Sequence, residues 1–284
     1  MYFVLQREKE FQDDIDVDIL KRELQKQKYT HNWVYGTTKE ICENEIRIGN
    51  EDVKCKDVVP VGSLTFIREW IRQHYSVNKL NPIEVPYVLR KYQFLGRDYR
   101  IVSKERVENK VSFVKYASEL KEFSCKGSLD NLINSDFMKD GLYVQSSIVN
   151  IRAEYRVIVF RDNIININYY DGDATVLPDV NKLKIMVNMY MLDSTRPKAY
   201  TIDIAVISKE NGEDDTIILE VHPFVSVGLY SYMIGSVLPM CYRLGIDYYI
   251  QSNIEIQEWE IGMERRKGIE WEKGVIVRKL QDRK

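Results

Sequence analysis

The chain has 284 residues, 30% of them charged, yet its formal net charge is only −2. That length suits one large domain or two lobes with a full core, and the balance excludes the broad basic field of a protein that mainly coats nucleic acid. Cys42, Cys55, Cys125 and Cys241 are scattered with no CxxC pair, which argues against a zinc site and a disulfide scaffold and makes a reducing cytoplasm the expected compartment.

In chain order, Tyr2–Leu5 reads as a strand and Asp16–Lys28 as an amphipathic helix capped by Asp14 or Asp16. The opening MYFVLQREKEFQDD holds an apolar run too short for a signal sequence. Asn32–Tyr35 and Glu45–Ile48 are expected as strands. Lys56–Val61 is another, running into Gly62-Ser63, where Ser63 can cap a helix over Leu64–Tyr75. Strand, glycine and helix start can together hold an anion, and they are also a common way to turn a corner. Asn81-Pro82 to Pro86 is a breaker-rich connection. Beyond it, Tyr87–Arg106 interleaves Arg90, Lys91, Arg97, Arg100, Lys104 and Arg106 with aromatics. That is the pattern of a solvated helix face over core aromatics, or of a polyanion-binding surface.

Val111–Tyr116 is a strand that carries Lys115 among apolar residues. A lysine so placed takes an acidic or phosphate partner, unless it snorkels at an edge. Ser124–Ser128 reads as a polar turn and Asn131–Lys139 as a short helix. Leu142–Val149, Glu154–Arg161 and Ile164–Tyr170 form a meander of strands closed by Asp171-Gly172-Asp173, and Pro178–Leu192 is helical by period. Pro223–Tyr242 has no charged residue, but Pro223, Gly228, Gly235 and Pro239 fit a helix buried in a globular core better than a membrane span. Ile246–Ile250 reads as a strand, and the end of the chain is charged and weakly patterned.

The stretch from Thr201 to His222 carries the chemistry. Thr201–Ile207 and Thr216–Val221 alternate like strands around Asn211-Gly212, the strongest short-range hairpin signal. If that pair is a two-residue turn, Glu210 opposes Glu213 and Asp203 falls opposite Glu220. Directly opposite residues share a face, and His222 points the same way as Glu220. Two carboxylates that close repel unless one holds a proton or a cation lies between them. Mg²⁺ is commonly held by one or two carboxylates and completes its shell with phosphates. The competing reading is an exposed sheet face whose charges are solvated.

The order of these parts resembles the ATP-grasp superfamily from about residue 87 to 245. AEYRVIVF, YYDGD, AYTIDIAV and LEVHPFVSVGLY carry the resemblance. It is strongest to a divergent branch, often met in phage and bacterial genomes, that is named for two arginines and a lysine. The resemblance implies an α+β fold: an ATP-grasp fold whose two lobes, with mixed or antiparallel sheets, sandwich ATP, preceded by a small α/β N-terminal lobe. Residues 1–86 would be that lobe, 87–250 the nucleotide-binding and catalytic region, and 251–284 a charged extension. It further implies Mg²⁺ and ATP as cofactors, and an ATP-dependent carboxylate–amine or carboxylate–thiol ligase working through an acyl phosphate with release of ADP.

By similarity, Lys115 and Lys104 would contact phosphates, and Gln145, Ser146 and Ile148 would lie in the hinge that reads adenine. Glu154 would reach the ribose. Asp203, Glu220 and His222 would hold the metal, with His222 standing where most members have asparagine, an oxygen ligand that suits Mg²⁺ better than imidazole does. Arg156, Arg161 and Lys198 would flank the γ-phosphate or the substrate acid. The partners implied are a small-molecule or peptide carboxylate and an amine or thiol acceptor, with nucleic acid not favoured and no membrane. Two rivals stand beside this: a metal-dependent nuclease with an acid and Glu-x-His, which leaves Lys115 and the Glu154–Arg156 strand unexplained, and a catalytically silent nucleotide-binding protein.

Overall fold

The strand-forming stretches assemble into three sheets in a computed structural model, which describes residues 1–8, 15–27, 32–43, 46, 57–75, 77, 80–120, 124–127, 138–209, 211–230 and 235–265, the last with side chains to 252. The strand expected over Glu45–Ile48, nearly all of the helix expected over Asn131–Lys139, and the chain after Arg265 lie outside the described residues.

The first sheet is parallel. Strand β1 (Tyr2–Gln6) lies between β2 (Asn32–Gly36) and β3 (Val58–Val61). Parallel strands are covered on both sides and read as unbroken apolar runs, and Phe3, Val4 and Leu5 are fully buried. Helix α1 (Ile15–Lys26) and helix α3 (Leu64–Tyr75) pack into this core. Ser63 caps α3 as expected, its Oγ accepting from Phe66 N–H at 3.2 Å. The short α2 (Thr38–Cys42) was not foreseen; a capping box of Thr37 and Glu40 starts it.

The second sheet corrects two expectations. Tyr87–Arg106 is not one helix face. It holds a 3-10 turn at Tyr87–Leu89, the one-turn helix α4 (Tyr92–Leu95), β4 (Tyr99–Ser103) and a second 3-10 turn. Gly96 in the left-handed region at φ 58° stops α4 after a single turn. Ser124–Gly127, expected as a turn, is the strand β6, paired to β5 (Ser112–Tyr116). With β7 (Leu142–Ser146) these strands form an antiparallel sheet in the order β4-β7-β5-β6.

The third sheet is antiparallel, in the order β11-β10-β8-β9. Its strands are β8 (Ile151–Phe160), β9 (Asn163–Gly172), β10 (Ala199–Ser208) and β11 (Asp214–Pro223). One face, with Tyr155, Val157, Tyr200, Ile202, Ile218 and Val221, packs under α5 (Val180–Tyr190) and α4. At one end of the other face Ile158, Ala199 and Phe224 join the N-terminal core.

Helix α6 (Leu238–Arg265) closes that core and overturns two readings. The uncharged segment becomes α-helical only from Leu238, because β11 runs on to Pro223 and an irregular loop follows. Ile246–Ile250 is not a strand. Leu238, Cys241, Tyr242, Ile246, Tyr249 and Ile250 are buried at helical spacing, a period invisible in a five-residue window. Gly245 lets the helix in, since a Cβ there would lie 2.1 Å from the Phe224 carbonyl oxygen. The helix runs unbroken through residue 250, where a charged extension was expected to begin. Among the described residues no helix is long and apolar enough to cross a membrane.

Candidate active site

The site lies on the face of the third sheet away from α5. In register Asp203 faces Glu220 on one side and Arg156 on the other, and Arg156 faces Asn168. Opposed residues share a face, so one polar row crosses all four strands.

The expected partnership of Asp203 and Glu220 is present, but it is reached through an irregular register. At the hairpin tip Lys209 N–H donates to Glu213 at 2.8 Å and Ser208 faces Asp214. That is one residue out of step with a two-residue Asn211-Gly212 turn; Glu210 itself lies outside the described residues. A bulge that takes in Leu219 then brings Glu220 back opposite Asp203.

Every charge in the row has an opposite charge in reach. Arg156 forks onto Asp203, Nε to Oδ1 at 2.8 Å and Nη2 to Oδ2 at 2.7 Å. From the facing sheet, Lys115 Nζ stands 3.3 Å from both Glu84 and Glu220. His222 Nε2 is 2.6 Å from Glu220 Oε2. Tyr170 Oη donates to Glu154, so Glu154 and Arg156 do not pair with each other as their spacing had allowed. After β11 the chain folds back over the row: Arg156 Nη1 donates to Gly228 O at 3.0 Å and Asn168 Nδ2 to Leu229 O at 2.6 Å. Leu229 N–H donates in turn to Asp16 Oδ1 at 2.9 Å, tying this loop to α1. Tyr230 stacks on Tyr170 at 4.7 Å, with the Arg156 guanidinium 4.9 Å from its ring centre.

The electrostatics follow from burial against pairing. Burial pulls the Lys115 ammonium down, yet the charges of Glu84 and Glu220 outweigh it and hold the group above its ordinary value. Burial pushes Glu220 up, but the His222 hydrogen bond and the Lys115 charge hold its carboxyl well below the usual range. Burial likewise opposes the Arg156 charge, and the Asp203 fork overcomes it.

Asp203, Glu220 and His222 fit a divalent cation: one donor atom from each lies within 4.8 Å of the others. His222 Nδ1 and Thr201 Oγ1, on opposed residues, are buried without a hydrogen-bond partner, so this edge has polar capacity to spare. Beside the Gly228 loop a cavity of about 300 Å³ is lined by Asp16, Gly62, Ser63, Ser226, Gly228 and Tyr242 among others.

The structure thus gathers Lys115, Glu154, Arg156, Asp203, Glu220 and His222. It does not gather the rest. Arg161 and Lys198 are exposed at the β8–β9 turn, where Arg161 N–H donates to Lys198 O at 2.7 Å, roughly 16 Å along the strand from Arg156 by strand rise. Lys104 is half-exposed and donates to Met138 O. Gln145 is a buried strut that accepts from Arg100 at 2.5 Å and donates to Glu108 O at 2.8 Å. Ser146 lies inside the ladder between β4 and β5, and Ile148 is on the exposed connector after β7. Sequence reasoning missed Glu84, Asn168, Tyr170 and Tyr230. Glu84 gave one signal, an acid inside the breaker run Asn81–Pro86; it sits at φ 54° and puts its carboxylate on Lys115.

Comparison with known proteins agrees with this geometry. Among solved structures the fold is similar to D-cycloserine synthetase DcsG, at 8% identity and TM-score 0.50 over 89% of this chain and 100% of that one. A RimK domain protein ATP-grasp from Sphaerobacter thermophilus matches at 10% identity and TM-score 0.49, over 88% and 100% of the two chains. D-alanine–D-alanine ligase from Bacillus anthracis matches at 12% and 0.45, over 91% and 98%. No curated protein matches the sequence. A family model for an ATP-grasp domain, the second family of the clade named for two arginines and a lysine, matches residues 94–240, more than half of the chain and every strand of the polar row. The chain belongs to that family, and so to the ATP-grasp ligases.

Proposed function

We propose that the protein joins a carboxylic acid to an amine or thiol at the expense of ATP, through an acyl phosphate and with release of ADP. The observation that carries this reading is the interleaving of charges between the two facing sheets. Acids suited to a divalent cation (Asp203, Glu220) are held by cations suited to phosphate (Lys115, Arg156). Mg²⁺·ATP could take both sets at once. Phosphoryl transfer asks little covalent chemistry of a protein and much placement of charge.

In the first step a carboxylate oxygen of the substrate attacks the γ-phosphorus, the bond to the β-phosphate oxygen breaks, and ADP leaves. Arg156 is placed to stabilise the charge that grows on the transferring group, with Tyr230 and the Gly228 carbonyl fixing its guanidinium. Lys115 would contact the phosphates from the other sheet, and Glu154, steadied by Tyr170, the ribose. A divalent ion at Asp203, Glu220 and His222 would neutralise phosphate oxygens. In the second step the amine or thiol attacks the acyl carbon, the carbon–oxygen bond breaks, inorganic phosphate leaves and the nucleophile gives up its proton. The cavity between Asp16, Ser63 and Gly228 is the space we assign to the substrate acid or its acceptor, with the lobe boundary near residue 86. D-cycloserine synthetase shares the general fold, and amino acids and short peptides are the first candidates.

Incubation with ATP, Mg²⁺ and a panel of amino acids, peptides and amines, with ADP, AMP and phosphate all scored, tests the reading. Acid-dependent ADP and phosphate release is the expected result. AMP release, or metal-dependent DNA cleavage that needs no ATP, overturns it.

A further inference from the structure

We infer that Arg97 is a positioning residue that holds the β-bulge at Leu219 and thereby turns Glu220 and His222 onto the face of the site. The inference rests on the reading that Asp203, Glu220 and His222 hold a divalent ion.

In β11 Ile218 faces the apolar core under α5. Strict alternation would carry Glu220 and His222 onto that same apolar face. Instead Val221 follows Ile218 into that core, while Glu220 and His222 lie opposite Asp203 and Thr201. One extra residue in the strand accounts for this, because a single-residue slip moves every later side chain to the other face. Asp203 faces Glu220 while the next residue, Ile204, faces Ile218, so the extra residue is Leu219. The metal-binding half of the row exists because of this bulge.

A bulge interrupts the ladder, and buried backbone carbonyls near it need donors from elsewhere. Arg97 supplies them. Its Nη1 donates to Ile218 O at 2.6 Å and to Leu95 O at 3.1 Å, and its Nη2 to Leu219 O at 3.1 Å. The planar guanidinium fork spans two successive carbonyls in a way a point cation does not. The side chain can reach them because α4 ends at Gly96, on top of β11. A Cβ there would lie 2.5 Å from Ile217 Cγ2, and the backbone stands at φ +58°. Gly96 and Arg97 therefore press on the residues immediately before and at the bulge.

Arg97 is 8% exposed, and burial holds its guanidinium below its ordinary value. A buried cation bonded to backbone carbonyls is a poor choice for packing alone, where an apolar side chain of similar volume often serves as well or better. It is well suited to fixing one register against its neighbours. The interleaved charges and aromatics around this residue had pointed to a polyanion surface or a solvated helix face; Arg97 lies in neither.

Two measurements on Arg97→Met, which keeps bulk and removes the donors, test this. The first is Mn²⁺ titration in the presence of ADP, followed by electron paramagnetic resonance. The expected result is a loss of about 10–100-fold in Mn²⁺ affinity per folded molecule, the scale for removing a residue that orients metal ligands. The second is a register reporter: Asp203→Cys with Glu220→Cys, oxidised and mapped by mass spectrometry. Opposed positions meet disulfide geometry, so the cross-link should form with Arg97 present and fail or slow markedly in the Arg97→Met background. A folded Arg97→Met protein with wild-type Mn²⁺ affinity and cross-link yield overturns the inference, whatever its melting temperature. If wild type binds no Mn²⁺, the metal reading of the site fails and the cross-link alone decides the role of Arg97. If Arg97→Met does not fold, Arg97→Lys, which keeps the charge and loses the fork, decides by the same two measurements: a smaller loss in both is expected, and no change in either overturns the inference.

Discussion

Two arginine–aspartate forks of nearly identical geometry hang on the same strands. Arg156 meets Asp203 at 2.8 and 2.7 Å in the middle of the third sheet. Arg196 meets Asp162 at 2.7 and 2.7 Å beside the β8–β9 turn. The side chains of the first pair are 12% and 6% exposed, and those of the second 22% and 26%. Around the turn the remaining Arg196 donors go to the carbonyls of Met191 and Asp193, so the pair bolts a connection shut. In the row the acids and cations stand among others of both signs, from Lys115 to Glu220. The bond chemistry does not separate a site from a bolt. Burial does, together with a surplus of exchangeable partners that a charged ligand could replace.

The largest effect that sharpens this contrast is expected from Asp203→Ala. It removes a proposed metal ligand and leaves Arg156 buried without its acid, for which about 3–5 kcal/mol is the usual cost. ATP turnover should disappear with it. Asp162→Ala should cost about 0–1 kcal/mol, as for an exposed pair. Urea unfolding of the two variants measures both, and equal costs would remove the distinction between bolt and site.

Next comes Arg156→Ala. Turnover per folded molecule should fall by roughly 100-fold or more, the scale for losing one preorganised transition-state contact. Because its partner is the buried Asp203 and not Glu154, the variant should also be less stable, which the spacing of Glu154 and Arg156 in the sequence had not implied. Arg161→Ala, at the exposed turn, should leave turnover unchanged. A drop in ATP turnover for Arg161→Ala comparable to that for Arg156→Ala would return the turn to the site.

How much of this was legible depended on the range of the signal. Helix α3 could be read because Ser63 and a steady helical period lie within one window. Asp203 and Glu220 could be paired because a hairpin converts sequence distance into contact. The pairing was right although the turn was one residue out of step, since the Leu219 bulge cancels the offset, and no property of Leu219 itself announces a bulge. Arg161 and Lys198 were chosen by charge type, and charge type does not report position along a strand. Glu84 and Arg97 were passed over because their partners, Lys115 and the carbonyls of Ile218 and Leu219, are distant in the chain. Helix α6 was misread because five residues of Ile and Tyr look alike in either period.

Lys115 tests the row from the opposite sheet. Lys115→Met should weaken ATP binding by about 1.5–3 kcal/mol, the size of a hydrogen bond to a charged group. It also strips Glu84 and Glu220 of their shared cation, so affinity has to be compared on protein shown to be folded by calorimetry. Unchanged affinity in a folded Lys115→Met protein would reduce this lysine to a tie between the sheets.

The smallest effect belongs to the bolt and concerns pH. The hydrogen bonds from Arg196 hold the Asp162 carboxyl below its ordinary value, against a weaker push from burial. A carboxyl depressed in the folded state stabilises the protein at pH values above its unfolded value, near 3.9, and loses that contribution as pH falls through the folded value. The stability difference between wild type and Arg196→Met should therefore be flat from neutral pH down to about 5 and shrink below about 4. Other carboxyls titrate in both proteins and cancel in the difference. The pair is partly hydrated, so the whole change should stay within about 1 kcal/mol. Denaturant midpoints at a series of acidic pH values give the curve directly. A difference that widens on acidification would mean that Asp162 is held neutral, not charged, and the turn would then owe its closure to the carbonyl contacts of Arg196 and not to the ion pair.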